Sequence, residues 1–115
     1  MFSFSKSQRL LKRDDYDRVF KNAHKITTPE FTVLFCDNQK KQARLGLVLS
    51  KKIILKAHDR NRIKRVLRES FRLNRKLPAV DVVVLARPRV AKAEPMLMKS
   101  NLDKLWDTLS VRHAT

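Results

Sequence analysis

The chain has 115 residues, which suits one hydrophobic core and leaves no room for a second independent one, so a single domain over residues 1–115 is expected. Its 27 Lys and Arg against 11 Asp and Glu give a formal net charge of +16, a self-repulsion that opposes compaction unless a polyanion relieves it. Solubility alone is served by a net charge of about 2 to 8 in a small domain. No apolar run reaches the roughly 18 residues of a membrane span, and MFSFSKSQRLLKRDD is unlike a secretory signal, so the expectation is a cytoplasmic chain with no membrane partner.

Asp14 is expected to cap a first helix, with Asp15 and Asp17 in the first turn, where the helix dipole favours negative charge. Tyr16, Val19, Phe20 and Ala23 recur at i, i+3, i+4 and i+7, which predicts an amphipathic helix over roughly residues 14 to 23. Thr27, Thr28 and Pro29 break the pattern, and HKITT before them reads as a short edge strand. From Phe31 to Cys36 the segment FTVLFC is β-branched and aromatic, and from Arg44 to Ser50 the leucines of RLGLVLS alternate with Arg44, Gly46 and Ser50. The polar DNQKKQ between these strands predicts a hairpin. Cys36 is the one cysteine, which excludes an internal disulfide and a cysteine zinc cage and leaves a small apolar strand residue.

A second helix is expected from about Asp59 to Arg75, with Ile63, Val66, Leu67, Ser70 and Phe71 facing inward and Pro78 ending it. VDVVVLA, Val80 to Ala86, is a continuous apolar run that suits a strand buried on both faces. After Pro95, the spacing of Met98, Leu102, Leu105, Trp106 and Leu109 predicts a last helix, with Trp106 a core anchor rather than a platform for a stacked base. Helix, two or three strands, helix, strand, helix argues for an α+β sandwich, one mixed sheet partly covered by helices.

RNRIKRVLRESFRLNRK, from Arg60 to Lys76, is the densest positive stretch, with Glu69 its single acid. At about 100° per residue, Arg60, Lys64, Arg65, Arg68, Arg72, Arg75 and Lys76 fan over one half of the helix surface and the apolar residues fill the other. Asn61 falls near the centre of this stripe, where an amide can meet a phosphate, a 2′-hydroxyl or a base edge. Arginine forks grip phosphates in a bidentate way that lysine cannot copy. A merely solvated helix face would mix its signs at i, i+4, so the stripe points to RNA phosphates.

RLGLVLSKK, AHDRNRIKRVLRESFR and LPAVDVVVLARP, taken together over about residues 7 to 110, resemble the protein component of bacterial ribonuclease P. The centre of the resemblance is R-N-R-x-K-R, carried by Arg60, Asn61, Arg62, Lys64 and Arg65. The resemblance implies a subunit of an endoribonuclease that removes the 5′ leader of precursor transfer RNA, in which a catalytic RNA and its Mg²⁺ ions break the bond and the protein has no catalytic residue or metal site of its own. It assigns docking on the catalytic RNA to Arg60, Asn61, Arg62, Lys64, Arg65 and Arg68. It assigns the single-stranded leader to a cleft formed by Tyr16, Phe20, Leu34, Lys51 and Lys52, with Arg87 and Arg89 near the substrate path. It also implies a four-stranded mixed sheet in the order α-β-β-β-α-β-α with a left-handed βαβ crossover, a two-layer ribosomal protein S5 domain 2-like fold. IILKAHD departs from relatives that have a glycine and a shorter link before the basic helix, which leaves the conformation of residues 53–59 open.

Other readings stand beside this one. By spacing alone Tyr16 and Phe20 share a face with Val19 and could be core. An autonomous nuclease would need paired carboxylates or a histidine pair, whereas His24, His58 and His113 are scattered. A ribosomal or general RNA-binding structural protein would share the charge and the basic helix. A helix-turn-helix DNA reader would need a short partner helix joined by a tight turn.

Overall fold

A computed structural model describes residues 8–10, 12–40, 42–74, 77–92 and 94–114. The elements are α1 (Arg13–Asn22), β1 (His24–Thr27), β2 (Phe31–Asp37), β3 (Arg44–Val48), α2 (Ala57–Leu73), β4 (Val80–Ala86), a 3₁₀ segment (Pro88–Lys92) and α3 (Pro95–Ala114). The strands form one sheet in the order β1-β2-β4-β3, with β2 antiparallel to both its neighbours and β3 parallel to β4. The mixed four-stranded α+β sandwich expected from the sequence is what forms.

The expected hairpin between β2 and β3 does not form, because β4 lies between them. A strand that is apolar on both faces is stable only in the interior of a sheet, and β4 is buried at six of its seven positions. The connection from β2 to β3 therefore spans two strand spacings, roughly 10 Å, and Asn38 organises its first residues. The Asn38 Nδ2 donates to the Gln42 carbonyl at 3.0 Å and its Oδ1 accepts the Lys40 N–H at 2.8 Å. Gln39 takes the left-handed conformation with φ 55°. The hairpin of this sheet is β1–β2 instead, turned where the Thr28 hydroxyl accepts the Phe31 N–H at 3.0 Å, so the HKITT edge strand is present.

Alternation sends Phe31, Val33 and Phe35 of β2 and Val80, Val82, Val84 and Ala86 of β4 to one face, where they pack with Ile63, Leu67 and Phe71 of α2 and Met98, Leu102, Leu105, Trp106 and Leu109 of α3. Trp106 is fully buried, as expected of a core anchor: its Nε1 donates to Ser70 Oγ at 2.8 Å and its ring meets Phe71 edge-on at 5.7 Å. The other face carries Cys36 and Val83 under Val19 of α1 and Leu10.

Both early helices begin ahead of expectation. The cap of α1 is Lys12, not Asp14: its extended backbone presents a carbonyl that accepts the Asp15 N–H at 3.1 Å, and Asp14 and Asp15 fall in the first turn. For α2, Ile54 drops into the core, and Arg60 Nη1 closes the link by donating to the carbonyls of Ile54 at 2.8 Å and Leu55 at 3.2 Å. This fixes the backbone before residue 57 and lets the helix start at Ala57. It ends at Leu73, where the N–H of Asn74 turns back to the Phe71 carbonyl at 3.2 Å, so Pro78 is not its stop. Arg75 and Lys76 lie outside the described residues.

Candidate nucleic-acid interface

The 3.6-residue period of α2 places Ile63, Leu67, Ser70 and Phe71 in the core and turns the cations outward. Asn61, Lys64, Arg65, Arg68, Glu69 and Arg72 line one shallow concavity of about 530 Å³. The stripe expected from the sequence is thus a groove with an amide and four cations on its walls. Its counter-charges are weak: Glu69 approaches Arg72 at 3.8 Å and Asp59 approaches Arg62 at 3.9 Å, both long i,i+3 pairs open to solvent on at least one side.

Two of the six residues assigned to RNA docking stand apart from the groove. Arg60 spends its guanidinium on the Ile54 and Leu55 carbonyls. Arg62 lies on the flank of the helix, exposed, beside Asp59. Asn61, Lys64, Arg65 and Arg68 are brought together, and Arg72 joins them.

The face of the sheet under α1 has three registered rows. Cys36, Asp81 and Arg44 form the first; Leu34, Val83 and Gly46 the second; Thr32, Leu85 and Val48 the third. Helix α1 covers the first two through Arg18, Val19 and Tyr16, and the third is left half-buried or exposed. The result is an open apolar floor beside α1, reached by Leu34. Phe20, one helical turn beyond Tyr16 on α1, is 47% exposed, and Tyr16 is half-buried. The periodicity that grouped these two rings with Val19 could not separate them, whereas the structure leaves Phe20 at the surface.

Tyr16 feels the charge of the basic helix. A hydrogen bond from the Leu47 backbone and the charge of Arg68 favour its phenolate, yet burial outweighs both and lifts its pKa above the ordinary 10.0. Arg68 therefore serves the groove on α2 and lies within electrostatic reach of the ring.

Lys51 and Lys52 sit in the turn after β3, exposed, with Ser50 Oγ accepting the Lys52 N–H at 3.1 Å. Because β3 and β4 run parallel, this turn and Arg87 emerge from the same end of the sheet as the open third row. Arg87 Nη1 donates to the Thr28 carbonyl at 2.8 Å and braces the β1–β2 turn, while Arg89 is exposed on the 3₁₀ segment. Of the residues assigned to a cleft by resemblance, Tyr16 and Leu34 lie on the sheet face, Lys51, Lys52 and Arg87 follow the ends of β3 and β4, and Phe20 and Arg89 are exposed.

One feature escaped the sequence reading. Asp81, fully buried within β4, accepts Arg44 Nε at 2.7 Å, Arg44 Nη2 at 2.6 Å and Asn38 Nδ2 at 3.0 Å, and pairs with Arg18 of α1. Burial opposes its charge, but these hydrogen bonds and the two guanidinium charges prevail and hold its pKa below the ordinary 3.8. The available signal was one carboxylate inside an apolar run, which demands a cation. Neither partner lies nearby in the chain.

Among the described residues, no group of three or more His, Cys, Asp and Glu could hold a metal ion, and no helix is long and apolar enough to cross a membrane. The basic helix follows a strand and a turn, not the short partner helix of a helix-turn-helix reader.

A family model described as Ribonuclease P matches residues 4–110. The chain is similar to the ribonuclease P protein component of Legionella pneumophila (strain Corby), 57% identical over 110 residues that cover 96% of each chain. It is similar to that of Pasteurella multocida (strain Pm70), 45% identical over 105 residues, 90% of this chain and 88% of the other. Among solved structures, it is similar to the RNase P protein of Staphylococcus aureus with a TM-score of 0.80 and 32% identity over 86% of this chain and 92% of that one. The RNase P protein of Thermotoga maritima gives a TM-score of 0.76 and 33% identity over 85% and 94%.

Proposed function

From the premise that this chain belongs to the ribonuclease P protein family, we infer that it is the RNA-binding subunit of a ribonucleoprotein that hydrolyses one phosphodiester bond of precursor transfer RNA and releases the 5′ leader. In this reading the α2 groove, with Asn61, Lys64, Arg65 and Arg68, grips the phosphates of the catalytic RNA, and Arg62 adds charge at its flank. The floor beside α1 receives the unpaired leader. Phe20 and Tyr16 offer aromatic faces that stack a base whatever its identity, and Lys51, Lys52, Arg87 and Arg89 meet the backbone at the end of the floor.

The protein orients and neutralises; it does not break the bond. Magnesium ions bound mainly by the catalytic RNA would supply the activated water and the charge stabilisation. Cationic side chains spread along two surfaces lower the repulsion between catalytic RNA and substrate, so the protein reduces the Mg²⁺ needed and broadens the range of precursors accepted. With these substrates the place of action is the cytoplasm.

The observation that supports the reading is that Arg68 lines the α2 groove and its charge acts on the Tyr16 phenol beside the sheet floor. A general RNA-binding structural protein has no need of an aromatic cleft joined to its basic helix. Reconstitution tests the reading. Added to a bacterial ribonuclease P RNA at low Mg²⁺, the protein should raise the rate of precursor cleavage and should cleave nothing by itself. No stimulation, or cleavage without the RNA, would overturn it.

A further inference from the structure

Helix α1 is short, and Val19 is its one fully buried side chain. A ten-residue helix with one fully buried side chain has little apolar grip with which to fix its own roll. At 100° per residue, the order around the α1 surface is Arg18, Asp15, Val19, Tyr16, Phe20. Arg18 and Asp15 thus lie on one side of the Val19 line, and the two aromatic residues on the other.

The ionic side is tied to the sheet. Arg18 pairs with the buried Asp81, and its Nη1 donates to the Asp37 carbonyl at 2.9 Å. Asp15 accepts Arg44 Nη2 at 3.3 Å, and Arg44 is itself bound to Asp81. One carboxylate, fixed in a central strand, therefore receives α1 directly through Arg18 and indirectly through Arg44 and Asp15. The second anchor sits across the helix from the aromatic wall, where it has most leverage over a roll.

We propose that Arg18, Asp15, Arg44 and Asp81 are positioning residues for the leader: their network sets the roll of α1 and so holds Tyr16 and Phe20 at the height above the sheet floor that a stacked base requires. None of the four needs to touch RNA. The proposal rests on the leader reading above and adds to it the device that shapes the cleft. It also explains why a strand with apolar neighbours carries an acid: an apolar residue at 81 would take from Arg18 and Arg44 the buried charge on which both converge.

The test uses the reconstituted holoenzyme with Arg18→Met, which removes the direct tether and leaves the Arg44–Asp81 pair inside the sheet. The preference for leader-bearing precursor over mature transfer RNA should fall by about tenfold, near the worth of one stacked base. Binding of the catalytic RNA and of mature transfer RNA should stay at the wild-type level. Arg18→Lys, which returns a cation but not the fork, should restore part of the preference. Amide exchange should quicken in α1 and stay unchanged in β4, which a general loss of stability would not produce.

A folded Arg18→Met protein that keeps the full preference, or loses affinity equally for both transfer RNAs, would overturn the proposal. If the wild-type holoenzyme itself shows no leader preference, the leader reading fails; unchanged α1 exchange in the variant would show separately that the tether is idle. Should Arg18→Met fail to fold, Asp15→Asn, which spares both arginine contacts with Asp81, should give a smaller loss in the same direction, and no loss would overturn the idea.

Discussion

Tyr16 stands directly over Gly46: a Cβ built at position 46 would lie 2.7 Å from Cε1, Cζ and Oη of the ring. The absence of a side chain on β3 is what lets the phenol settle on the sheet and take the hydrogen bond of the Leu47 backbone. In Gly46→Ala the far end of the ring must swing outward, since the strand cannot retreat from β4. Overpacking of this kind costs about 1 to 3 kcal/mol. The chain has one tyrosine, so phenolate absorbance reports this residue alone: its pKa, raised above 10.0 in the native protein by burial, should move down towards that value in the variant.

Phe20 is the exposed member of the aromatic pair, and its removal separates binding from packing. Phe20→Ala uncovers little core, so the melting temperature should change slightly. If the ring stacks a leader base, binding of leader-bearing precursor should weaken by about 1 to 3 kcal/mol while mature transfer RNA binds as before. Equilibrium binding of both RNAs to the holoenzyme checks this; equal losses would return Phe20 to a purely structural role.

The two faces of α2 were legible because a 3.6-residue period writes both into one stretch of sequence: Ile63, Leu67, Ser70 and Phe71 are buried, and Asn61 and Arg65 are outside. The inward face of α3 and the double burial of β4 were equally local. Strand order was not. An antiparallel pair joined by a short polar loop looks the same whether or not a later strand slips between its members, and only the need of VDVVVLA for neighbours on both edges hinted at β4 between β2 and β3. The Asp81 network was hidden for the same reason, its arginines standing 63 and 37 residues away in the chain. Resemblance, not spacing, is what singled out Tyr16 and Phe20, which the helical period groups with the buried Val19.

Charge reversal tests the α2 groove. Arg62→Glu with Arg65→Glu replaces two cations by anions on and beside the groove, and assembly with the catalytic RNA should be lost at physiological salt. Neutral versions, Arg62→Gln and Arg65→Gln, should each lower the slope of log K against log salt by about 0.7 to 0.9 for every phosphate contact removed, with Arg65 the more sensitive because it lines the groove. Arg60→Gln should behave differently. Its guanidinium holds the Ile54 and Leu55 carbonyls, so the loss should appear first as a lower melting temperature.

Ser70 tests the opposite face of the same helix. Its hydroxyl accepts the buried Trp106 indole N–H and donates to Asp103 Oδ1 at 3.0 Å. Ser70→Ala leaves that indole without an acceptor, at a cost of about 1 to 3 kcal/mol. Thermal melting followed by Trp106 fluorescence should show the loss, and affinity for RNA at a temperature well below the transition should be unchanged.

Asp81 gives the fold a defined acid limit. Its carboxyl is held below 3.8 in the folded chain, whereas the unfolded chain binds the proton at the ordinary value. Where the unfolded state binds more protons, stability rises with pH; the contribution of Asp81 is therefore complete above about pH 4 and is lost as pH falls through the depressed native value. Arg44, whose pKa is raised chiefly by its hydrogen bond to Asp81, stays charged throughout and adds no second limb. In Asp81→Asn two guanidinium groups lose their buried counter-charge, a loss of about 3 kcal/mol by analogy with other broken buried pairs. The gap in melting temperature between wild type and variant should be widest near neutrality and should close as the buffer is taken below pH 4. A gap that stays constant across that range would mean that the ionised carboxylate is not what holds Arg18 and Arg44 in place.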